Sequence, residues 1–283
     1  MFEAAKPLLK QLLTCIAAIV AAHALAFFLM RALPSAATVA LGLQSTNVEV
    51  VAAFESSAPV RSYRQTVVDF AHLQLGRTLD GTSVSSELLA ALKLSLPVLA
   101  LSMLLALLTA AIFALSPRAR AVVPSMQFFV FLPPFLFAFL AGSSQLFGNV
   151  IAPIWLTIAA SAALACCLFA VQAHAAMAQE LALPHAEVMR MFCATERDLR
   201  LKLLPGVLVK LAPSLETGVS LTLASLLFAE PILGQAGIGT LAARAVRRSD
   251  VDLLLGAVLL FATCIAIARL VGWGLRRHYR LPT

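Results

Sequence analysis

Charge is what this sequence has least of. Only 12% of its 283 residues are Asp, Glu, Lys or Arg, against a hydrophobic share of 61% and a mean hydropathy of +0.93. A soluble globular chain carries roughly a quarter of its residues charged, so composition alone excludes that class and implies an integral membrane protein. Catalytic signatures are missing as well. No G-x-x-x-x-G-K-[ST] phosphate loop, no H-E-x-x-H and no G-x-S-x-G occurs, which removes the usual markers of nucleotide hydrolysis, zinc proteolysis and serine hydrolysis. The five cysteines (Cys15, Cys166, Cys167, Cys193, Cys264) lack metal-ligand spacing, and adjacent Cys166 and Cys167 read as helix packing rather than a disulfide. His23 has no second histidine near it in sequence to make a metal site and reads as a satisfied packing residue. No low-complexity tract, separable soluble domain or clear internal repeat is present.

What charge there is has one dominant sign, a formal +7. Lys and Arg cluster beside apolar runs, where they set orientation and meet anionic lipid rather than nucleic acid. The runs lie at about Leu9 to Leu33, Leu92 to Leu115, Ala121 to Ala141, Val150 to Ala173, Val207 to Phe228 and Val251 to Leu275, each near the roughly 20 residues a helix needs to cross a bilayer. The expectation is an all-α membrane protein with six transmembrane helices. The first run reads as an uncleaved span, since no small-x-small cleavage site followed by a soluble mature domain appears after it. Basic residues at Lys6 and Lys10, at Arg118 and Arg120, from Arg190 to Lys202 and from Arg276 to Arg280 fall on one side, so the positive-inside bias puts both termini in the cytoplasm. Arg244, Arg247 and Arg248 oppose that bias from the last outer loop, with Asp250 and Asp252 as neighbouring partners.

The domain reading is an N-terminus and first helix at 1–33, an extracytoplasmic segment at 34–91, and a five-helix membrane core at 92–283 that includes a polar segment at 180–206. In the outer segment, apolar positions from Val48 to Leu75 recur irregularly at three to four residues, as in short amphipathic helices, and the turn at Asp80, Gly81 and Thr82 ends them. Pro133 and Pro134 kink span three.

The polar segment is the least membrane-like part of the core. Pro184 opens a helix through Glu187 to Cys193, Thr195, Glu196 and Arg197 make a turn, and a second helix begins near Asp198, with Glu196 and Arg200, and Asp198 and Lys202, at i,i+4 spacing. Such charges cannot lie in hydrocarbon. They face water or protein, either as a solvated linker or as a contact for a soluble partner.

The run E-V-M-R-M-F-C-A-T-E-R-D-L-R-L-K-L-L-P from Glu187 to Pro205 resembles the cytoplasmic EAA loop of bacterial ABC importer permeases. Three other stretches resemble one branch, the dipeptide, oligopeptide and nickel permeases: F-F-L-M-R-A-L-P at Phe27 to Pro34, H-L-Q-L-G-R-T-L-D-G-T-S-V-S-S-E-L-L-A-A-L-K-L-S-L-P at His72 to Pro97, and F-A-E-P-I-L-G-Q-A-G-I-G-T-L-A-A-R-A-V at Phe228 to Val246. They cover most of the chain in the family's order. Departures are Thr195 at the loop position usually held by Gly, Gln74 for an Asp, Gln235 and Ala236 in place of Pro-Gly, and a short loop at Gly142 to Asn149.

The resemblance implies a type I importer permease, the first (B-type) subunit, in the bacterial cytoplasmic membrane. It implies that the chain forms half of a pathway for peptides or a related small solute and has no catalytic residues. The implied partners are a second homologous permease making a heterodimer, two cytoplasmic ATPases, an extracytoplasmic solute-binding protein and membrane lipid. No cofactor is expected on this chain; ATP and Mg would act through the ATPases. The ATPase-coupling residues would be Glu187, Arg190, Met191, Phe192, Cys193, Thr195, Glu196, Arg197 and Asp198, although Met191 and Phe192 read equally as packing against the bundle's own ends. Pathway candidates are Gln127, Glu230 and Glu216, the last being the deepest acid and either pore-facing or paired with a partner subunit; Lys210 lies near the cytoplasmic boundary and can snorkel. The alternative is a stand-alone ion-coupled transporter, which needs mid-membrane coupling sites and usually repeat symmetry.

Overall fold

A computed structural model describes residues 2–32, 62–72, 74–146, 151–192 and 195–279. Most of the outer segment up to residue 61, residues 147–150 of the short loop, and Cys193 lie outside the described residues. Eleven α-helices are described: α1 (Phe2–Ala32), α2 (Tyr63–Ala71), α3 (Val84–Leu115), α4 (Val123–Val130), α5 (Pro134–Leu146), α6 (Pro153–Leu181), α7 (Pro184–Phe192), α8 (Glu196–Lys210), α9 (Leu215–Ile232), α10 (Ile238–Arg248) and α11 (Val251–His278). Short 3-10 turns precede α4 and α9. The sole β feature among the described residues is one bridge between Arg77 and Ser83. The all-α expectation holds. Helices are what hydrocarbon permits, since each satisfies its own backbone groups along its length.

Five helices are long and apolar enough to span a bilayer, and a sixth span results if the bent pair α4–α5 counts as one. That pair meets at 99°. Pro133 and Pro134 therefore break span three outright rather than kink it, because two consecutive residues lack the N–H that would carry the ladder across. Phe131 at the break is 85% exposed.

Three other boundaries differ from the hydropathy reading, each for a packing reason. Span five begins at Ala212 rather than Val207, because Leu199, Leu203, Val207 and Leu211 form an i,i+4 stripe buried in the protein core, and a core stripe looks like a span in a hydropathy window. Span four runs on to Leu181 for the same reason, with Ala173, Ala176 and Met177 facing that core. Span two starts at Val84 rather than Leu92. Its early start is possible because Glu87 in the first turn is neutralised by Arg244 and accepts a hydrogen bond from the Thr82 hydroxyl at 2.6 Å.

The described residues form two compact units, Met1–Ser95 with Ala236–Thr263, and Leu96–Gln235 with Cys264–Thr283. In the first, α2 starts with a capping box in which Ser62 and Gln65 satisfy each other's backbone N–H. His23 is buried against aromatics, 4.7 Å from the Phe70 ring and 5.9 Å from Tyr63. It is a packing histidine as expected, but its Nε2 has no hydrogen-bond partner among the described residues. The turn expected at Asp80 to Thr82 is present, with Gly81 at φ +83°.

Arg244 and Arg248 find carboxylates other than that of Asp250. Arg244 pairs with Glu87 and Arg248 with Asp80 at 2.7 Å, while Asp250 accepts from the backbone N–H groups of Leu79 at 3.0 Å and Leu253 at 3.1 Å. Asp250 thus caps α11 and braces the turn before α3. Its carboxylate is used on backbone donors rather than on a guanidinium.

In the second unit, α3, α6 and α8 share one core containing Ala106, Ala110, Phe169, Ala173, Leu203 and Val207. Ser102 and Ser161 hydrogen-bond at 2.7 Å between α3 and α6. Small residues allow the closest approaches. A Cβ on Gly218 of α9 would sit 2.4 Å from the Phe169 ring, and one on Gly272 of α11 would strike the Ala212 carbonyl oxygen at 2.4 Å. Gly218→Ala gains up to about 1 kcal/mol of helix propensity but overpacks a rigid ring, at a cost of about 1–3 kcal/mol. The variant is expected to unfold at lower temperature in detergent, and Gly218→Ala with Phe169→Leu to recover most of the loss; an unchanged midpoint in the single variant would show that α9 and α6 do not meet this closely.

Candidate functional site

The polar segment folds as two helices set at the end of α6. α7 is nine residues long and amphipathic. Ala186 is fully buried and Met189 packs on the core, whereas Met191 and Phe192 are 83% and 79% exposed and Val188 is 55% exposed. The alternative in which Met191 and Phe192 pack on the bundle's own ends is therefore not realised: they project away from it. Glu187 and Arg190 are exposed too, and Arg190 donates from Nη2 to the Leu181 carbonyl at 3.4 Å.

The second helix begins at Glu196 rather than Asp198. Thr195 is its N-cap, in extended backbone at φ −137°, ψ 158°, and its hydroxyl oxygen accepts from the Asp198 N–H at 3.2 Å. Glu196 and Arg197, expected in the turn, are already helical. The same Thr195 hydroxyl donates to the Asp198 carboxylate at 2.6 Å. A Thr can stand at this position because no positive φ is needed there, and a side-chain cap replaces the freedom a Gly would provide. Asp198 is an N3 residue in the first turn, favourably placed on the helix dipole.

Glu196 pairs with Arg200 at 3.2 Å, the i,i+4 contact the spacing implied. Arg200 does more than that spacing shows. It is only 9% exposed, and its Nη1 donates to the Ala114 carbonyl at 3.1 Å. Ala114 lies in the last turn of α3, where carbonyls lack intrahelical partners, so a buried orphan acceptor and the negative end of α3 are both met by one guanidinium.

Lys210 does not simply snorkel. Its Nζ lies 2.8 Å from Glu180 Oε1, and Glu180, buried in the last turn of α6, also meets His185 Nε2 at 3.3 Å. Glu180 was not singled out from the sequence. Its partners on α7 and α8 follow a turn and a whole helix later, and no local spacing links Glu180 to Lys210.

The pathway candidates are dispersed. Gln127 is exposed on α4. Glu230 is 1% exposed near the end of α9. Glu216 is not the deepest acid: with the span starting at Ala212 it lies in the first turn of α9, its side chain 38% exposed and 3.8 Å from Arg269 Nε on α11. Its partner is thus found within this chain. Among the described residues no cluster of three or more His, Cys, Asp or Glu could hold a metal ion.

A protein-family model described as binding-protein-dependent transport system inner membrane component matches residues 27–279. The chain belongs to that family. It is a multi-pass inner-membrane permease component of an ABC importer, with the type I permease fold, and membership implies ATPase and binding-protein partners. Family members are transport components rather than enzymes. No curated protein matches the chain. Within this permease, α7 and α8 offer the exposed, charged and apolar surface outside the spans, and Arg200 fastens that surface to α3.

Because Arg200 satisfies a buried carbonyl and a carboxylate at once, its loss leaves both without a partner. Arg200→Met is expected to destabilise the permease by about 1–3 kcal/mol, and Arg200→Lys to recover only part, since an ammonium cannot reproduce the planar two-way fork. Thermal unfolding in detergent measures both; equal stability of all three proteins would remove Arg200 as a fastener.

Proposed function

We propose that the permease couples to its ATPases through α7, which docks in a groove on a cytoplasmic ATPase subunit while α8 supports it from behind. The observation that carries this reading is the exposure of Met191 and Phe192 at the tip of a helix whose opposite face is fixed to the core. Large apolar side chains are the usual anchors of a protein interface, and here they stand among Glu187, Arg190, Glu196 and Arg197, which set register by charge. Thr195 caps the helix that follows, Cys193 joins the proposed set from its place in the sequence alone, and Asp198 accepts from the Thr195 hydroxyl.

The wider reading has the termini and α7 in the cytoplasm, supported by the positive-inside bias. A second, homologous permease completes the pathway, ATP and Mg act in the ATPases, and closure of the ATPases tilts the spans as rigid bodies. Peptides or a related small solute are the proposed cargo, on the strength of the motifs at Phe27 to Pro34, His72 to Pro97 and Phe228 to Val246. Glu216, Glu230 and Gln127 are the proposed contacts along the pathway. In the proposed domain division, residues 92–283 form the permease core and 34–91 its extracytoplasmic segment.

Purification of the native complex followed by mass spectrometry is expected to return two P-loop ATPase subunits and a second permease; a stable, active chain obtained alone would defeat the reading. Phe192→Ala is expected to weaken ATPase binding by about 30-fold, equivalent to about 2 kcal/mol, with thermal stability unchanged because the side chain touches little of its own protein. Arg197→Glu is a cleaner probe of charge register than a change at Asp198, which would also remove the carboxylate that accepts from the Thr195 hydroxyl. Undiminished ATPase binding in Phe192→Ala would remove α7 from the interface.

A further inference from the structure

We propose that Glu180 is a positioning residue that pins α6, α7 and α8 into one rigid lever, so that motion of α7 reaches the spans without slippage. The inference rests on the reading of α7 as the docking helix and adds what transmits its motion.

The geometry is specific. Each carboxylate oxygen of Glu180 serves a different helix: Oε1 lies 2.8 Å from Nζ of Lys210, the last residue of α8, and Oε2 lies 3.3 Å from Nε2 of His185 in the first turn of α7. Glu180 itself belongs to the last turn of α6. Its side chain is 10% exposed and that of Lys210 26%, so the pair is shielded from the salt screening that weakens surface ion pairs. Gly206, one turn before Lys210, lies against the carboxylate: a Cβ there would be in ordinary van der Waals contact with Oε1, at 3.4 Å.

Stability alone does not account for a carboxylate at this position. An acid in the final turn of a helix opposes the dipole, and a buried ion pair is often no more stabilising than apolar side chains of similar size. What the pair supplies is direction. The apolar core joining α6 and α8 is non-directional, and α7 adds only Ala186 and Met189 to it. Apolar contacts of that kind permit one helix to rock on another, whereas a carboxylate held from two sides fixes both angles. The Arg190 bond to the Leu181 carbonyl ties α7 to the same end of α6.

The test uses the assembled complex with its ATPases in lipid nanodiscs. Genetically encoded spin labels replace exposed Trp155 at the far end of α6 and exposed Lys202 on α8, and their separation is measured with and without ATP and vanadate to trap closed ATPases. The unmodified lever is expected to give one distance in both states. Glu180→Gln and Lys210→Met are expected to add a second distance in the trapped state only, and the exchange Glu180→Lys with Lys210→Glu to restore the single one, a rescue that a merely space-filling role would not show. A single, unchanged distance in trapped Glu180→Gln and Lys210→Met complexes overturns the pin. Loss of the docking reading is a different result: Phe192→Ala complexes would then keep their ATPases, whatever the labels report.

Discussion

Hydrocarbon offers no hydrogen bond, and most of what is specific in this permease follows from that constraint. Between helix ends the backbone satisfies itself, so the spans need only be apolar outside and tightly packed inside. At the ends the last carbonyls and first amides have no partner within the helix. Here the chain places its scarce charges. Arg200 takes the Ala114 carbonyl at the end of α3, Glu180 closes the junction of α6 with α7 and α8, Asp250 takes the Leu253 amide at the start of α11 and the Leu79 amide in the turn before α3, and Glu87 meets Arg244 at the start of α3. A chain with few charged residues spends many of them at helix termini.

Seen from the termini, the two helices of the polar segment differ. α8 is chiefly a structural helix: its stripe from Leu199 to Leu211 is core, and Arg200 and Lys210 point back to α3 and α6, while Glu196 and Arg197 at its start are exposed. α7, proposed as the docking helix, is short and half exposed, with its largest apolar side chains directed away from the protein. One binds inward and the other outward. The division explains how a polar interruption of a membrane chain can be both well anchored and available to a partner.

Local features were legible in the sequence, and long-range ones were not. Approximate span positions, a disturbance at Pro133 and Pro134 (though as a kink and not a break), the turn at Gly81 and the Glu196 to Arg200 pair all depend on residues within a turn or two of each other. Thr195 was legible as a departure from the family pattern, though not as a cap, because the cap depends on where the helix starts. Arg200 and Ala114 are 86 positions apart, and Glu87 and Arg244 are 157; only the fold brings them together. Val207 shows a subtler failure. Hydropathy cannot distinguish an apolar stripe that faces protein from one that faces lipid, so the start of span five was drawn inside α8.

The small size of α7 sharpens the role of its anchors. Isolated helices below roughly 12–15 residues are marginal in water, and α7 has nine, of which three apolar residues, Val188, Met191 and Phe192, face solvent. Burial of Ala186 and Met189 secures one side, and that alone would leave a helix free to fray or rotate. Its stiffness must therefore come from its first turn, where His185 meets Glu180, and from Arg190, which reaches back to Leu181. Force applied at Phe192 would act at one end of this helix while the directional bonds hold the other. A contact surface at the free end and directional polar bonds at the fixed end are what the proposed lever requires, and they are met with fewer residues than an independently stable helix needs.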